Sequence, residues 1–189
     1  MTRSSLCAAV VLVATPTGAG AQQPSRGTGP TLSGVAGPAV IVETWDYATL
    51  SLPDSWYEGV SLGARITMPL SPKVSAALRG LAFRAPGGRS LQLATAGLEL
   101  RAGRYRQVPL NLGFGVVRQP SELLCIAPCP GASRRFGHRS RATLAGSVAY
   151  EWATRSGLGI GPEFTVTRAF GGGLRYWSIH LGLRVATGL

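Results

Sequence analysis

The chain has 189 residues, of which 45% are apolar and only 14% charged, with 26 Gly and 13 Pro. That composition suggests one domain and favours turns and strands over long helices. The formal net charge is +11 and Lys73 is the sole lysine. The arginines are scattered singly along the chain and form no stripe that could track phosphates, so nucleic acid is not an expected partner.

Residues 1–21 read as a secretory signal peptide. Arg3 supplies the positive start, Leu6 to Ala14 the apolar run, and Ala19-Gly20-Ala21 the small-residue cleavage site. The apolar run is too short for a membrane-spanning helix, which needs about 20 residues. Residues 22–38, rich in Gly, Pro, Ser and Thr, are expected to be a flexible leader, and 39–189 the folded unit.

From there the dominant signal is period two. The opening strand, about Ala39 to Thr49, is the weakest. Val60-Leu62-Ala64-Ile66-Met68 alternates with Ser61-Gly63-Arg65-Thr67. Val74 to Arg84 changes phase near Gly80, which suggests a bulge. Leu91 to Arg101 places Ala94, Ala96, Leu98 and Leu100 on one face. Val108-Leu110-Leu112-Phe114-Val116, Leu144-Gly146-Val148-Tyr150-Trp152, Leu158-Ile160-Pro162-Phe164-Val166 and Trp177-Ile179-Leu181-Leu183-Val185 complete eight strands. Each is long enough to cross a bilayer at a tilt.

Connections at 71–73, 102–105 and 154–156 are short, and the one at 119–140 is long. Short periplasmic turns and longer outer loops are the asymmetry of outer-membrane barrels. The long segment holds Cys125 and Cys129 in CIAPC, a candidate short-range disulfide in an oxidising compartment, with two free thiols as the alternative. It also holds His138 with Ser133 and Ser140, and Arg134, Arg135 and Arg139, which with Arg141 just beyond it could meet lipopolysaccharide phosphates or simply be solvated.

Alternation alone does not say whether the oily face looks into a core or out to lipid. A soluble lipocalin-like barrel binding a lipophilic ligand would show the same period with the opposite orientation. Three features favour lipid. The polar face carries small residues such as Gly63, Gly113 and Gly161, which leave room for a few long side chains. Aromatics gather near strand ends: Trp45, Tyr47, Trp56, Tyr57, Phe83, Phe170, Tyr176 and Trp177 toward the outer rim, and Tyr105, Tyr150 and Trp152 toward the inner. Mid-strand charges keep to the polar phase. Arg65, Arg79, Glu99, Arg101, Glu151, Glu163 and Arg184 are expected to form an ion network in the lumen, with His180 beside it.

These features resemble the small outer-membrane barrels of the OmpA-transmembrane and OmpX type, over about Ala39 to Leu189. The resemblance implies an all-β, eight-stranded antiparallel up-and-down transmembrane β-barrel in the cell outer membrane. It further implies a monomer inserted by the barrel-assembly machinery, in contact with outer-membrane lipid and lipopolysaccharide. Such proteins commonly end in an aromatic residue; this chain ends in Leu189. The expected role is structural or surface interaction with a filled polar lumen and no catalysis. The alternative within the membrane is a lipid-modifying enzyme built on Ser178 and His180, which share a face, with Glu163 as the acid. No Walker loop, dinucleotide fingerprint or zinc pattern is present, and no cofactor or metal is expected.

Overall fold

The computed structural model describes residues 29–47, 50–51, 55–86, 90–102, 107–121, 137–154, 157–170 and 174–188. Eight long strands account for most of them: β1 Thr31–Tyr47, β2 Ser55–Pro69, β3 Val74–Arg84, β4 Ser90–Ala102, β5 Val108–Ser121, β6 Gly137–Ala149, β7 Gly159–Phe170 and β8 Leu174–Gly188. Two short pieces, Leu50–Ser51 and Trp152–Ala153, lie against β1 and β7 respectively.

Every strand pairs antiparallel with its neighbour in sequence, and β8 returns to pair with β1, so the sheet closes on itself. Closure removes the open edges that would otherwise expose unpaired backbone groups, a condition for standing in lipid. The register is staggered. A walk along paired residues from Ser33 runs through Arg65, Arg79, Thr95, Gly115, Thr143, Ala169 and Tyr176 and re-enters β1 at Glu43, ten residues further on. For eight strands that stagger corresponds to a strand tilt of roughly 40°.

Burial alternates strictly. On β1 to β7 the odd-numbered residues turn inward, and on β8 the even-numbered ones do. Several glycines on the inner face are dictated by the wall itself. A Cβ added at Gly97 or Gly115 would run into the Leu112 or Ala94 carbonyl of the adjacent strand. These glycines therefore allow close strand approach, over and above leaving space in the lumen.

Three expectations about the strands are corrected. β1 begins at Thr31, inside the segment read as a leader, because Thr31–Ala36 pair with both β2 and β8. Gly37 and Pro38 disguised it: they drop out of the β1–β8 ladder, yet both keep their partners on β2. The bulge near Gly80 does not exist, since the β2–β3 and β3–β4 registers run unbroken through it. What looked like a phase change is Leu81 and Phe83 turning inward as apolar lumen residues. Finally, β5 and β6 continue into the segment read as a 22-residue loop, pairing Pro120 with His138 and Ser121 with Gly137.

The turn at 70–73 closes tightly, with the Leu70 and Ser71 amides donating to the Val74 carbonyl at 2.9 and 3.0 Å. The turn after the Trp152–Ala153 piece uses Gly157 at φ 81°, a left-handed conformation that favours glycine. These turns define one end of the barrel, called the turn end below; the opposite end is the far end.

Candidate functional site: a lumen divided between ions and oil

The inward residues sort into two layers. Toward the turn end, β2 contributes Arg65, β3 Arg79, β4 Glu99 and Arg101, β7 Glu163 and β8 Arg184, and the chain just after β6 contributes Glu151. Each lies on its strand's inward parity, which is why alternation delivers them to one place. Arg65 donates to Glu99 Oε2 at 3.0 Å and to Glu163 Oε1 at 2.8 Å. Arg79 approaches the same Glu163 oxygen at 2.9 Å and donates to Thr165 Oγ1 at 2.9 Å. Arg101 pairs with Glu99 at 3.0 Å and Glu151 at 3.1 Å. Arg184 touches all three carboxylates: Glu151 at 3.0 Å, Glu99 at 3.3 Å and Glu163 at 3.4 Å.

The structure therefore brings together all seven charged residues singled out from the sequence. Two further members carried a parity signal that went unused. Ser147 accepts from Arg65 at 2.9 Å, and Thr165 donates to Glu163 at 3.2 Å. Both share the inward parity of their strands. Burying ions is tolerable only when each is paired and hydrogen-bonded, and this shared mesh provides that condition.

Toward the far end apolar side chains enter the lumen, beside buried Glu43, Thr143, Ser178 and His180 and half-buried Arg141. Ile41, Leu81, Phe83, Leu91, Leu93, Val117 and Tyr176 are buried together, with Tyr57 and Val35 packed against them. The inward face is thus charged toward the turn end and mixes apolar with polar side chains toward the far end. The aromatic assignments are corrected. Tyr57, Phe83 and Tyr176 were read as outer-rim aromatics because they lie near strand ends, but their parity points them inward, and Tyr176 is 0% exposed. Glu43, the β1 partner of Tyr176, is buried beside it.

Other aromatics do face outward. Trp56, Phe170 and Trp177 are exposed at the far end and Tyr150 at the turn end, where its ring meets Trp152 edge-on at 5.1 Å. The Arg168 guanidinium lies over Trp177 at 4.8 Å and Phe170 at 5.4 Å. Tyr105, Cys125 and Cys129 lie outside the described residues, as do the side chains of Trp45, Tyr47, His138 and Arg139.

Ser178 and His180 do meet, with His180 Nε2 at 2.9 Å from Ser178 Oγ. The pair is buried, and Phe83 closes on the imidazole edge-on at 6.4 Å. His180 Nδ1 has no hydrogen-bond partner among the described residues. Glu163, the candidate third member, is taken up by Arg65, Arg79 and Arg184. A triad needs its acid on that nitrogen, so the geometry is that of a packed polar pair. Among the described residues no group of three or more metal-ligating side chains occurs.

The exterior decides between a lipid-facing and a soluble barrel. Leu110, Leu112, Ile179 and Leu181 are 40%, 61%, 43% and 43% exposed, whereas Glu163 and Arg184 are each 1% exposed. Many other large apolar side chains, including Val60, Leu62, Leu78, Phe114 and Leu183, also stand on the outer surface. A water-soluble barrel rarely shows a contiguous apolar surface of this kind, and the lipocalin-like alternative is overturned. The oily stripe of each strand looks outward and the charges look inward, as an outer-membrane position requires.

No protein-family model matches the chain, and no curated protein matches its sequence. Solved structures do share the fold. Neisserial surface protein A aligns with a TM-score of 0.60 at 12% identity, over 85% of this chain and 97% of that one. Ail, the attachment invasion locus protein of Yersinia pestis, solved in complex with the heparin analogue sucrose octasulfate, aligns with a TM-score of 0.53 at 14% identity, over 84% and 99% of the two chains. Closed, staggered and oily on the outside, the chain has the fold of the small eight-stranded outer-membrane β-barrels.

Proposed function

We propose that this protein is a non-catalytic outer-membrane barrel whose lumen is closed to ions and whose work is structural or done at the cell surface through its far-end connections. The observation that carries this reading is the division of the lumen. A mesh of four arginines and three glutamates ties β2, β3 and β4 to β7 and β8. An apolar cluster drawn from β1, β3, β4, β5 and β8 packs toward the other end. Eight strands leave an interior that side chains can fill, and here they pack against one another from opposite walls.

The surface role is read as contact with anionic polymer or lipid. The chain carries +11 net charge, and Arg134, Arg135 and Arg139 fall at or beside the far-end connection between β5 and β6, whereas Arg141 is half-buried on the inward parity of β6. Ail, which shares the fold, was solved with a polyanionic sugar. Guanidinium groups match phosphate and sulfate oxygens by paired hydrogen bonds. The working form is a monomer, inserted by the barrel-assembly machinery.

Purified protein refolded in detergent and placed in planar bilayers tests the closed lumen. A folded, heat-modifiable barrel with no sustained conductance is the expected outcome. Steady ion channels from the unaltered protein would overturn the reading.

A further inference from the structure

The outer wall carries an asymmetry that the lumen does not explain. Among the described side chains, the arginines pointing outward are Arg84, Arg118 and Arg168, and all three stand at the far end of their strands. At the turn end the outward residues include Leu32, Met68, Leu70, Leu100, Leu110 and Tyr150, with Lys73 in the turn itself. Among the described side chains, the outward arginines thus gather at one membrane boundary, as suits a bilayer whose two surfaces differ in charge.

One of these arginines, Arg84, lines a groove, and a second, Arg118, stands beside it. A cavity of about 640 Å³ opens on the exterior across β1 to β4, walled by Ala36, Pro38, Val60, Leu62 and Ala82, with Arg84, Ser90 and Gln92 at its far-end margin. The register explains its shape. Pro38, Val60, Arg84 and Ser90 form one outward row, and Ala36, Leu62, Ala82 and Gln92 the next. Small Ala36 and Ala82 flank the bulkier Leu62, so the wall dips. Gln92 is also the cross-strand partner of Arg118. Arg84 and Arg118 thus stand two strands and one row apart, roughly 12 Å, with Ser90 and Gln92 between them. The volume lies in the range of small-ligand sites, about 300–1,000 Å³, and the walls are apolar.

From this juxtaposition we infer that the β1–β4 groove seats an acyl chain of a phosphorylated outer-leaflet glycolipid, lipid A, whose phosphate is held by Arg84 and Arg118. The inference rests on the outer-membrane reading above. The chemistry is complementary at both ends: hydrocarbon against Val60, Leu62 and Ala82, and phosphate against two guanidinium groups with hydroxyl and amide donors between them. Arg168 stands at the same boundary on the opposite wall, its guanidinium fixed over Trp177 and Phe170. Glu58, diagonal to Arg84 through Val60, is the one outward carboxylate among the described side chains, and it competes with the phosphate for Arg84.

The test uses the barrel in phosphatidylcholine nanodiscs doped with bisphosphorylated lipid A, with lipid adducts counted by native mass spectrometry. The wild-type barrel is expected to retain lipid A. Arg84→Ala with Arg118→Ala is expected to lower retention about tenfold or more, since charge-assisted hydrogen bonds are lost. Ala82→Trp should lower it with both arginines intact, and Glu58→Gln should raise it. Should Ala82→Trp fail to fold, Gly80→Leu fills the same outward face one row away, where an added Cβ meets nothing within 4 Å. Dephosphorylated lipid A and phosphatidylglycerol are expected not to be enriched. Equal retention by the double arginine variant, or equal retention of phosphatidylglycerol, overturns the inference. Heat-modifiable migration of the same samples separates the two claims. A barrel that folds without selective adducts sinks the groove alone, and a wild-type chain that shows no detergent-resistant folded form sinks the membrane reading beneath it.

Discussion

Arg65 and Arg79 are direct cross-strand partners on the β2–β3 ladder, both facing inward, and a single carboxylate oxygen from β7 lies 2.8 Å from one and 2.9 Å from the other. Two like charges directly opposite each other destabilise a sheet. Glu163 cancels that repulsion by reaching between them from the other side of the barrel, and Arg184 and Thr165 hold the same carboxylate in place.

Glu163→Gln should therefore be far more damaging than an average buried substitution. It strands three guanidinium groups around a neutral amide, and removing one member of a buried pair costs about 3–5 kcal/mol. Urea unfolding in detergent micelles, read by loss of the heat-modifiable band, gives the value. Combining it with Arg79→Met should recover part of the loss, because one of the stranded cations leaves with it. No recovery would mean that Arg79 is not coupled to Glu163.

On the outer wall, Leu112→Arg puts a charge against hydrocarbon on the face shared by Leu110 and Phe114. The expected cost is about 2–4 kcal/mol. Leu112→Phe, also apolar, should be nearly silent. Folding yields into lipid vesicles report the difference, and an equal yield for both variants would argue that this face does not meet acyl chains.

Ser178→Ala and His180→Phe test the remaining catalytic possibility. Each removes a 2.9 Å contact between two buried groups, for a stability loss of about 1 kcal/mol. The lipid A composition of cells carrying either variant is expected to match that of cells carrying the unaltered protein. Any modified lipid A species that disappears with the substitution would restore the enzyme reading.

Arg168→Ala removes a guanidinium stacked on an exposed indole. The contact contributes about 0.5–1 kcal/mol at such a site. The variant is expected to unfold at slightly lower urea concentration. An unchanged midpoint would reduce the stacking to an incidental neighbour relation.

Much of this was readable from alternation. Leu110, Leu112, Ile179 and Leu181 were placed on one phase and Glu163 and Arg184 on the other, and a two-residue period carries that assignment over any length of strand. The ends were harder. Pro38 lacks an amide proton and Gly37 a side chain, so a strand that pairs on both sides looked like a leader. The aromatics failed for a different reason. Nearness to a strand end says how deep a ring lies, not which way it points. Tyr176 shares parity with Ser178, His180 and Arg184, and that parity alone would have sent it inward. The phase change at Leu81 and Phe83 suggested a bulge because a period-two reading expects polar residues on the inner face throughout. Nothing in a period-two pattern says that a lumen changes character halfway along its axis.

The placement of the seven lumen charges also bears on how the cylinder comes together. Strands β2 to β4 bring three arginines and one glutamate, and the chain from Glu151 onward brings two glutamates and one arginine. Neither half of the chain can neutralise itself. Each is an electrostatic mate for the other, so closing the cylinder is what neutralises both.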